Sequence, residues 1–162
     1  MKQIIKIGHN LRMRKIRING FTIVELMIAL AIAGIIMMVA VPTYQDYTTR
    51  VEDGRAEKDL VVIQFTIEDY ELSYGSLPNS LADIGMDGMK DPWDNPYVYA
   101  NHDVVPPGHR RKDHSLVPIN SDYDLYSKGE DGRSAWPLTA NHSKDDIIRG
   151  RDGGFVGKAE DY

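Results

Sequence analysis

Residues 19–44 read NGFTIVELMIALAIAGIIMMVAVPTY. From Phe21 to Val41 the run is almost unbroken apolar sequence with one carboxylate, Glu25, near its start. As a helix rising about 1.5 Å per residue it spans about 31 Å, which matches a hydrocarbon core of about 30 Å. A carboxylate at the centre of such a helix costs about 2.5–3.5 kcal/mol on insertion scales, so intramembrane acids are rare and generally paired. The segment therefore fixes the first element as a spanning helix, and Glu25 asks for a partner.

Upstream, Lys2, Lys6, Arg12, Arg14, Lys15 and Arg17 precede the helix with no acid among them. The whole 162-residue chain carries a formal charge of −5, so the part after the helix is strongly acidic. A basic flank stays cytoplasmic by the positive-inside rule, and the acidic part crosses. An acidic domain does not bind nucleic acid in general, because that affinity comes mainly from neutralising phosphates; it suits cations better. The chain has no cysteine, so an exported domain must be held by its core, by assembly or by a metal. At about 120 residues after the helix, the remainder supports one small domain.

Three readings compete for the N-terminus. A secretory signal would use the basic residues, an apolar core and Ala31-Ile32-Ala33 as the cleavage site. Against it, Glu25 lies inside that core and the apolar run continues to Val41. An uncleaved anchor accounts for the length but gives Glu25 no purpose. In the third reading, NGFTIVELMIALAIAGIIMMVAVPTY resembles the N-terminus of type IV pilins and type II secretion pseudopilins. The resemblance implies cleavage by prepilin peptidase between Gly20 and Phe21, N-methylation of Phe21, and assembly roles for Glu25 and Pro42. The new amine of Phe21, on the same chain or its neighbour, would answer the Glu25 carboxylate. Three parts follow: a cleaved leader over 1–20, a transmembrane and filament-core helix over 21–41, and a periplasmic domain over 42–162. Met1 and Met13 both remain available as starts.

Past Pro42, which can bend a helix that otherwise continues, the spacing of Leu60, Ile63, Ile67, Tyr70 and Tyr74 predicts one apolar stripe on a helix ending near Tyr74. Gly75 and Pro78 close it. A short helical turn is expected around Leu81–Ile84, a first strand at Tyr97-Val98-Tyr99, and a second in SDYDLYSKGEDG, with Tyr123, Leu125 and Ser127 at alternate positions. Two or three short antiparallel strands laid on the stripe give an α+β fold: a long N-terminal helix, first transmembrane and then amphipathic, packed on a small antiparallel sheet with a C-terminal loop region. LPNSLADI, KDPWDNPYVY and YDLYSKGEDG resemble, in order and spacing, pieces of the major pseudopilin of type II secretion, the GspG-type family. Asp94 stands where that family usually has glycine, and residues 101–121 look like an enlarged loop.

Asp131 in GEDG and the pair Asp145-Asp146 in SKDDII are the carboxylates of interest. By composition they read as a solvated acidic surface, and the EF-hand spacing is absent. Calcium takes six to eight oxygens, which a glycine-rich turn and a nearby acidic pair can converge. The resemblance implies one calcium ion held by Asp131, Asp145 and Asp146 with the backbone carbonyls of Lys128 and Glu130, and Asp152 competes as a ligand. The run His109, Arg110, Arg111, Lys112 and His114 reads as a solvated basic loop, or else as a phosphate or partner contact. The histidines lack zinc spacing. Trp93 and Trp136, beside prolines, are expected in the core. No nucleophile elbow, P-loop or Cys–His pair marks an enzyme.

The sequence thus points to a structural subunit. The resemblance implies a single-pass inner-membrane protein that polymerises into a periplasmic pseudopilus with an assembly platform and other pseudopilins. A type IV pilus subunit and a non-polymerising membrane-anchored calcium-binding domain are the alternatives.

Overall fold

The computed structural model describes residues 20–162, so the basic leader and Met13 lie outside the described residues. The chain divides into two units, residues 1–42 and Thr43–Tyr162, and each is described by itself.

The helix α1 runs Ile23–Tyr74 with Pro42 inside it. Within the first unit its start is a reciprocal cap. The Glu25 N–H donates to Thr22 Oγ1 at 3.1 Å, and the Thr22 N–H donates to Glu25 Oε2 at 2.9 Å. Two of the amides that a helix start leaves unsatisfied are thereby answered. No part of the apolar window is buried inside the protein: Phe21, Ile23, Ile35 and Met38 are all largely exposed. The helix is long and apolar enough to cross a membrane.

In the second unit, α1 buries Ala56, Leu60, Ile63 and Ile67, spaced by four, three and four. Tyr74, expected to extend this stripe, is 72% exposed and stacks on half-buried Tyr70 at 4.4 Å between ring centroids. The stripe therefore closes before the helix does. Gly75, at φ +73, ends it with a backbone conformation that favours glycine. A short 3-10 turn at Leu81–Ile84 follows, where the Asp83 carboxylate accepts from the N–H groups of Asn79 and Ser80 and Leu81 enters the core.

Four strands, β1 (Val98–Asn101), β2 (Tyr123–Ser127), β3 (Ile147–Gly150) and β4 (Phe155–Lys158), form one antiparallel sheet in chain order. Tyr99 lies opposite Leu125, and Tyr126 opposite Ile148. Side chains alternate across a strand, so two cores result. On one face Tyr97, Tyr123, Leu125 and Ile147 pack with Leu60, Ile63 and Ile67 of α1. On the other, Tyr126 and Ile148 pack with Ile119, Leu138 and Ala159.

That second face explains two departures from expectation. All five residues of β2 are buried because both sides of the strand are covered. β3 and β4 lie in what was expected to be C-terminal loop. They are four residues each, beside charged and glycine-rich stretches, and β3, buried along its whole length, loses the alternation by which strands are read. The cover comes partly from the enlarged 101–121 segment, which is tied in by backbone: Lys112 N–H donates to Trp136 O and Leu138 N–H to Lys112 O, both at 2.9 Å.

Candidate functional site

At the N-terminal candidate site, Gly20 and Phe21 precede α1 and are exposed. Gly20 adopts no positive φ, and a Cβ there would meet nothing within 4 Å. The local fold does not require glycine at this position, so its identity answers to something other than backbone geometry. The Thr22 hydroxyl also donates to Glu25 Oε2 at 2.9 Å, so the carboxylate holds the helix start from both ends of the cap. The T-I-V-E spacing of residues 22–25 carries this signal, and sequence reasoning that looked to the Phe21 amine as the partner passed over it.

The C-terminal site is built on Asp91. Its buried carboxylate accepts from the N–H groups of Trp93 and Asn95, at 3.1 and 2.8 Å, and from the hydroxyl of Ser127 at the end of β2. The Ser127 oxygen accepts from the Gly129 N–H, and Asn95 Nδ2 donates to the Gly129 carbonyl at 3.1 Å. DPWDN and YSKG are thus one hydrogen-bonded unit. Asp94 is left-handed at φ +71, the conformation for which glycine is best suited and which aspartate tolerates better than most. Gly129 is also left-handed, and a Cβ on it would stand 2.4 Å from the Asp145 carbonyl oxygen. This close approach brings the GEDG turn against the SKDD segment.

The carboxylates there do not converge. Asp131 accepts from the Arg133 N–H at 2.7 Å and faces His142 Nδ1 at 3.3 Å. Asp145 accepts from the Asp131 N–H at 3.1 Å. Asp146 turns the other way and is fully buried, with Oδ2 accepting from Arg111 Nη2 and the Ser134 hydroxyl, both at 2.6 Å. Among the described residues no three His, Cys, Asp or Glu side chains form a group able to hold a metal. The Asp131, Asp145, Asp146 set, with the Lys128 and Glu130 carbonyls, therefore does not fit the expected calcium ion. Asp152 does not complete it either: its carboxylate accepts from the Ser121 N–H and hydroxyl at 2.6 and 2.9 Å, and the backbone hydrogen bond foremost holds it below the usual carboxylate range.

The basic run is also not a solvated loop throughout. Arg111 is 1% exposed, while Arg110 reaches the His102 carbonyl at 2.7 Å. Burial pushes the Asp146 carboxyl up to about 6, with Arg111 and the Ser134 hydroxyl pulling it back down. Nearby, buried His102 Nε2 lies 3.1 Å from Asp124, and Arg149 grips Asp122 through both terminal nitrogens at 2.8 Å with its guanidinium 3.9 Å above the Tyr123 ring. Of the two tryptophans, Trp93 packs on the first core, whereas Trp136 is 44% exposed and lies 5.1 Å from the His109 ring. Sequence reasoning missed Arg111, Ser134 and Asp91. Nothing local distinguishes Arg111 from its neighbours; only its contacts do.

A spanning-type helix with a capped acid at its start, followed by a helix-on-sheet domain, defines a pilin-like subunit. Residues 16–41 match the prokaryotic N-terminal methylation motif. The chain is 30% identical over 149 residues, 88% of either protein, to the type IV major pilin protein PilE of Neisseria gonorrhoeae. It is 38% identical over 73 residues to a fimbrial protein of Neisseria meningitidis, covering 45% of this chain and 43% of that one. It is 45% identical over 50 residues to a fimbrial protein of Pseudomonas aeruginosa, about a third of each. No solved structure gives a significant match. The chain belongs to the type IV pilin and pseudopilin superfamily.

Proposed function

We propose that this protein is the structural subunit of a filament. It enters the inner membrane as a single-pass protein with its basic end in the cytoplasm and its C-terminal domain in the periplasm. Prepilin peptidase cuts after Gly20 and methylates Phe21, and copies then stack through residues 21–41. The observation that carries this reading is the apolar run of α1, which is not buried among the described residues and which starts on one capped carboxylate. In a bundle of such helices, Glu25 meets the Phe21 amine of the next subunit and sets its register.

A type IV pilus as the machine is supported by the likeness to a major pilin over 88% of either chain. A type II secretion pseudopilus, with its assembly platform and partner pseudopilins, is favoured by a different observation. The DPWDN and YSKG segments resemble the GspG-type family and interlock here through Asp91, Ser127, Asn95 and Gly129.

Mass spectrometry of the purified protein is expected to show N-methylated phenylalanine 21 as the first residue. Glu25→Ala is expected to leave the subunit in the membrane and remove sheared filaments; filaments at wild-type yield would sink the assembly reading. Deleting the gene and scoring surface pili against exported enzymes then separates the two machines.

A further inference from the structure

We propose that the Arg111 guanidinium is the built-in cation that closes the C-terminal region of the domain, in the place a divalent ion would take, and that the subunit folds and stays folded without calcium. Arg111 is fixed at both ends. Its N–H donates to Asp124 Oδ2 at 2.6 Å, and its carbonyl accepts from the Ile119 N–H at 3.1 Å. Its side chain gives Nη2 to Asp146, and Nη1 to the Ser134 hydroxyl and to the Ala135 carbonyl at 2.6 Å. The Tyr126 ring lies 4.5 Å from the guanidinium carbon. One side chain so joins the 101–121 segment, the stretch after the GEDG turn and the entry to β3.

This is the work of a loop-closing ion, carried out with different chemistry. Calcium gathers six to eight oxygens at 2.3–2.6 Å. A guanidinium instead offers five N–H donors in a fixed plane with one permanent charge. The two do not coexist here. A divalent ion on Asp146 would face Arg111 across a single buried carboxylate, where water is not available to screen them. The other Asp146 oxygen is buried and has no protein partner, but one oxygen is far short of a calcium shell. Asp131 Oδ1 and Asp145 Oδ2 meanwhile accept from backbone N–H groups of the turn itself, and Asp131 Oδ2 faces His142. The residue that displaces the ion comes from the enlarged segment 101–121, which gives that enlargement a structural purpose: closure that does not depend on the calcium concentration outside the cell membrane.

The test uses the full-length chain in detergent micelles, melted by circular dichroism in EGTA and in excess calcium chloride. The wild-type Tm is expected to be the same in both; a Tm that rises with calcium overturns the proposal. Arg111→Met is expected to lower Tm by about 10 °C or more, because it leaves the buried Asp146 carboxyl, the Ser134 hydroxyl and the Ala135 carbonyl without their shared partner. The exposed Arg133→Met serves as control, and an Arg111→Met melt no lower than that control also overturns the proposal. Arg111→Met combined with Asp146→Asn is expected to lose less than the two single losses added together; strict additivity counts against the pairing. Should Arg111→Met not fold, the calcium comparison on the wild type still decides.

Discussion

The start of α1 and the last third of the chain are built on opposite principles. Around Glu25 each polar contact is made within three residues, and the apolar side chains from Ile23 to Val41 are largely exposed among the described residues. In the C-terminal region the decisive contacts join residues 34 to 36 positions apart: Asn95 to Gly129, Arg111 to Asp146, Asp91 to Ser127. The first region is complete as a secondary structure and, among the described residues, unpacked, which is the feature the proposed assembly uses. The second is complete only as tertiary structure. Several of its charges that look like a surface for ligands, Arg111, Asp124, Asp146 and Arg149 among them, are instead buried and paired inside the domain.

The sharpest way to break this contrast is a pair of isoleucines. Ile63→Ala, at a fully buried site of the α1 stripe, is expected to cost the domain about 2–5 kcal/mol in a denaturant melt. Ile35→Ala, at a site 67% exposed, should leave that melt unmoved and register only in filament yield. A domain destabilised equally by both would mean that the N-terminal helix is packed within the subunit after all.

Next in size is Gly129→Ala. The left-handed backbone and the 2.4 Å approach of its would-be Cβ to the Asp145 carbonyl leave no room to relax, so a loss of about 2–4 kcal/mol is expected from chemical denaturation. Gly20→Ala, where nothing crowds the Cβ, should leave the same measurement unchanged and instead stop the leader from being removed, as seen by gel mobility.

A smaller effect is expected at alkaline pH. Burial foremost pushes the phenols of Tyr97, Tyr99 and Tyr123 up, with the hydrogen bond to Asp59 adding to it at Tyr97. The folded state then holds protons that the unfolded chain begins to release near pH 10. Stability from these groups is full below that pH and declines as pH rises beyond it. Tyrosinate absorbance followed against pH should therefore rise together with the loss of ellipticity rather than ahead of it. Smallest is Asp94→Gly. Relief of the left-handed strain is set against a more flexible unfolded chain and the loss of an exposed ion pair to Lys90, so the net change should stay within about 1 kcal/mol.

How far each region could be read follows from where its information is stored. The helix from Phe21, its carboxylate, the turn at Leu81–Ile84 and the strand at Tyr123–Ser127 are written in contiguous residues, and the structure contains all but the first residues of that helix as expected. The apolar stripe was read one turn too long, since spacing places Tyr74 on the right face but does not say where the sheet stops covering it. Trp136 was expected inside for its size, and it lies outside because the bulk of the second core is supplied by Ile119, Leu138 and Ile148. β3 was missed because a four-residue strand with both faces buried carries no alternation, and β4 because four residues around Gly157 are too short to show one.

The sequence by itself determined the long apolar helix, the acid near its start, the glycine–phenylalanine junction before it and the α+β class, because periodicity, hydropathy and short-range spacing are properties of adjacent residues. Only the tertiary structure decided the use of the charged residues. Asp131, Asp145 and Asp146 stand within fifteen positions of one another, yet Asp146 points to an arginine 35 positions upstream. A carboxylate takes the nearest strong donor in space, and a linear pattern does not fix which donor that is.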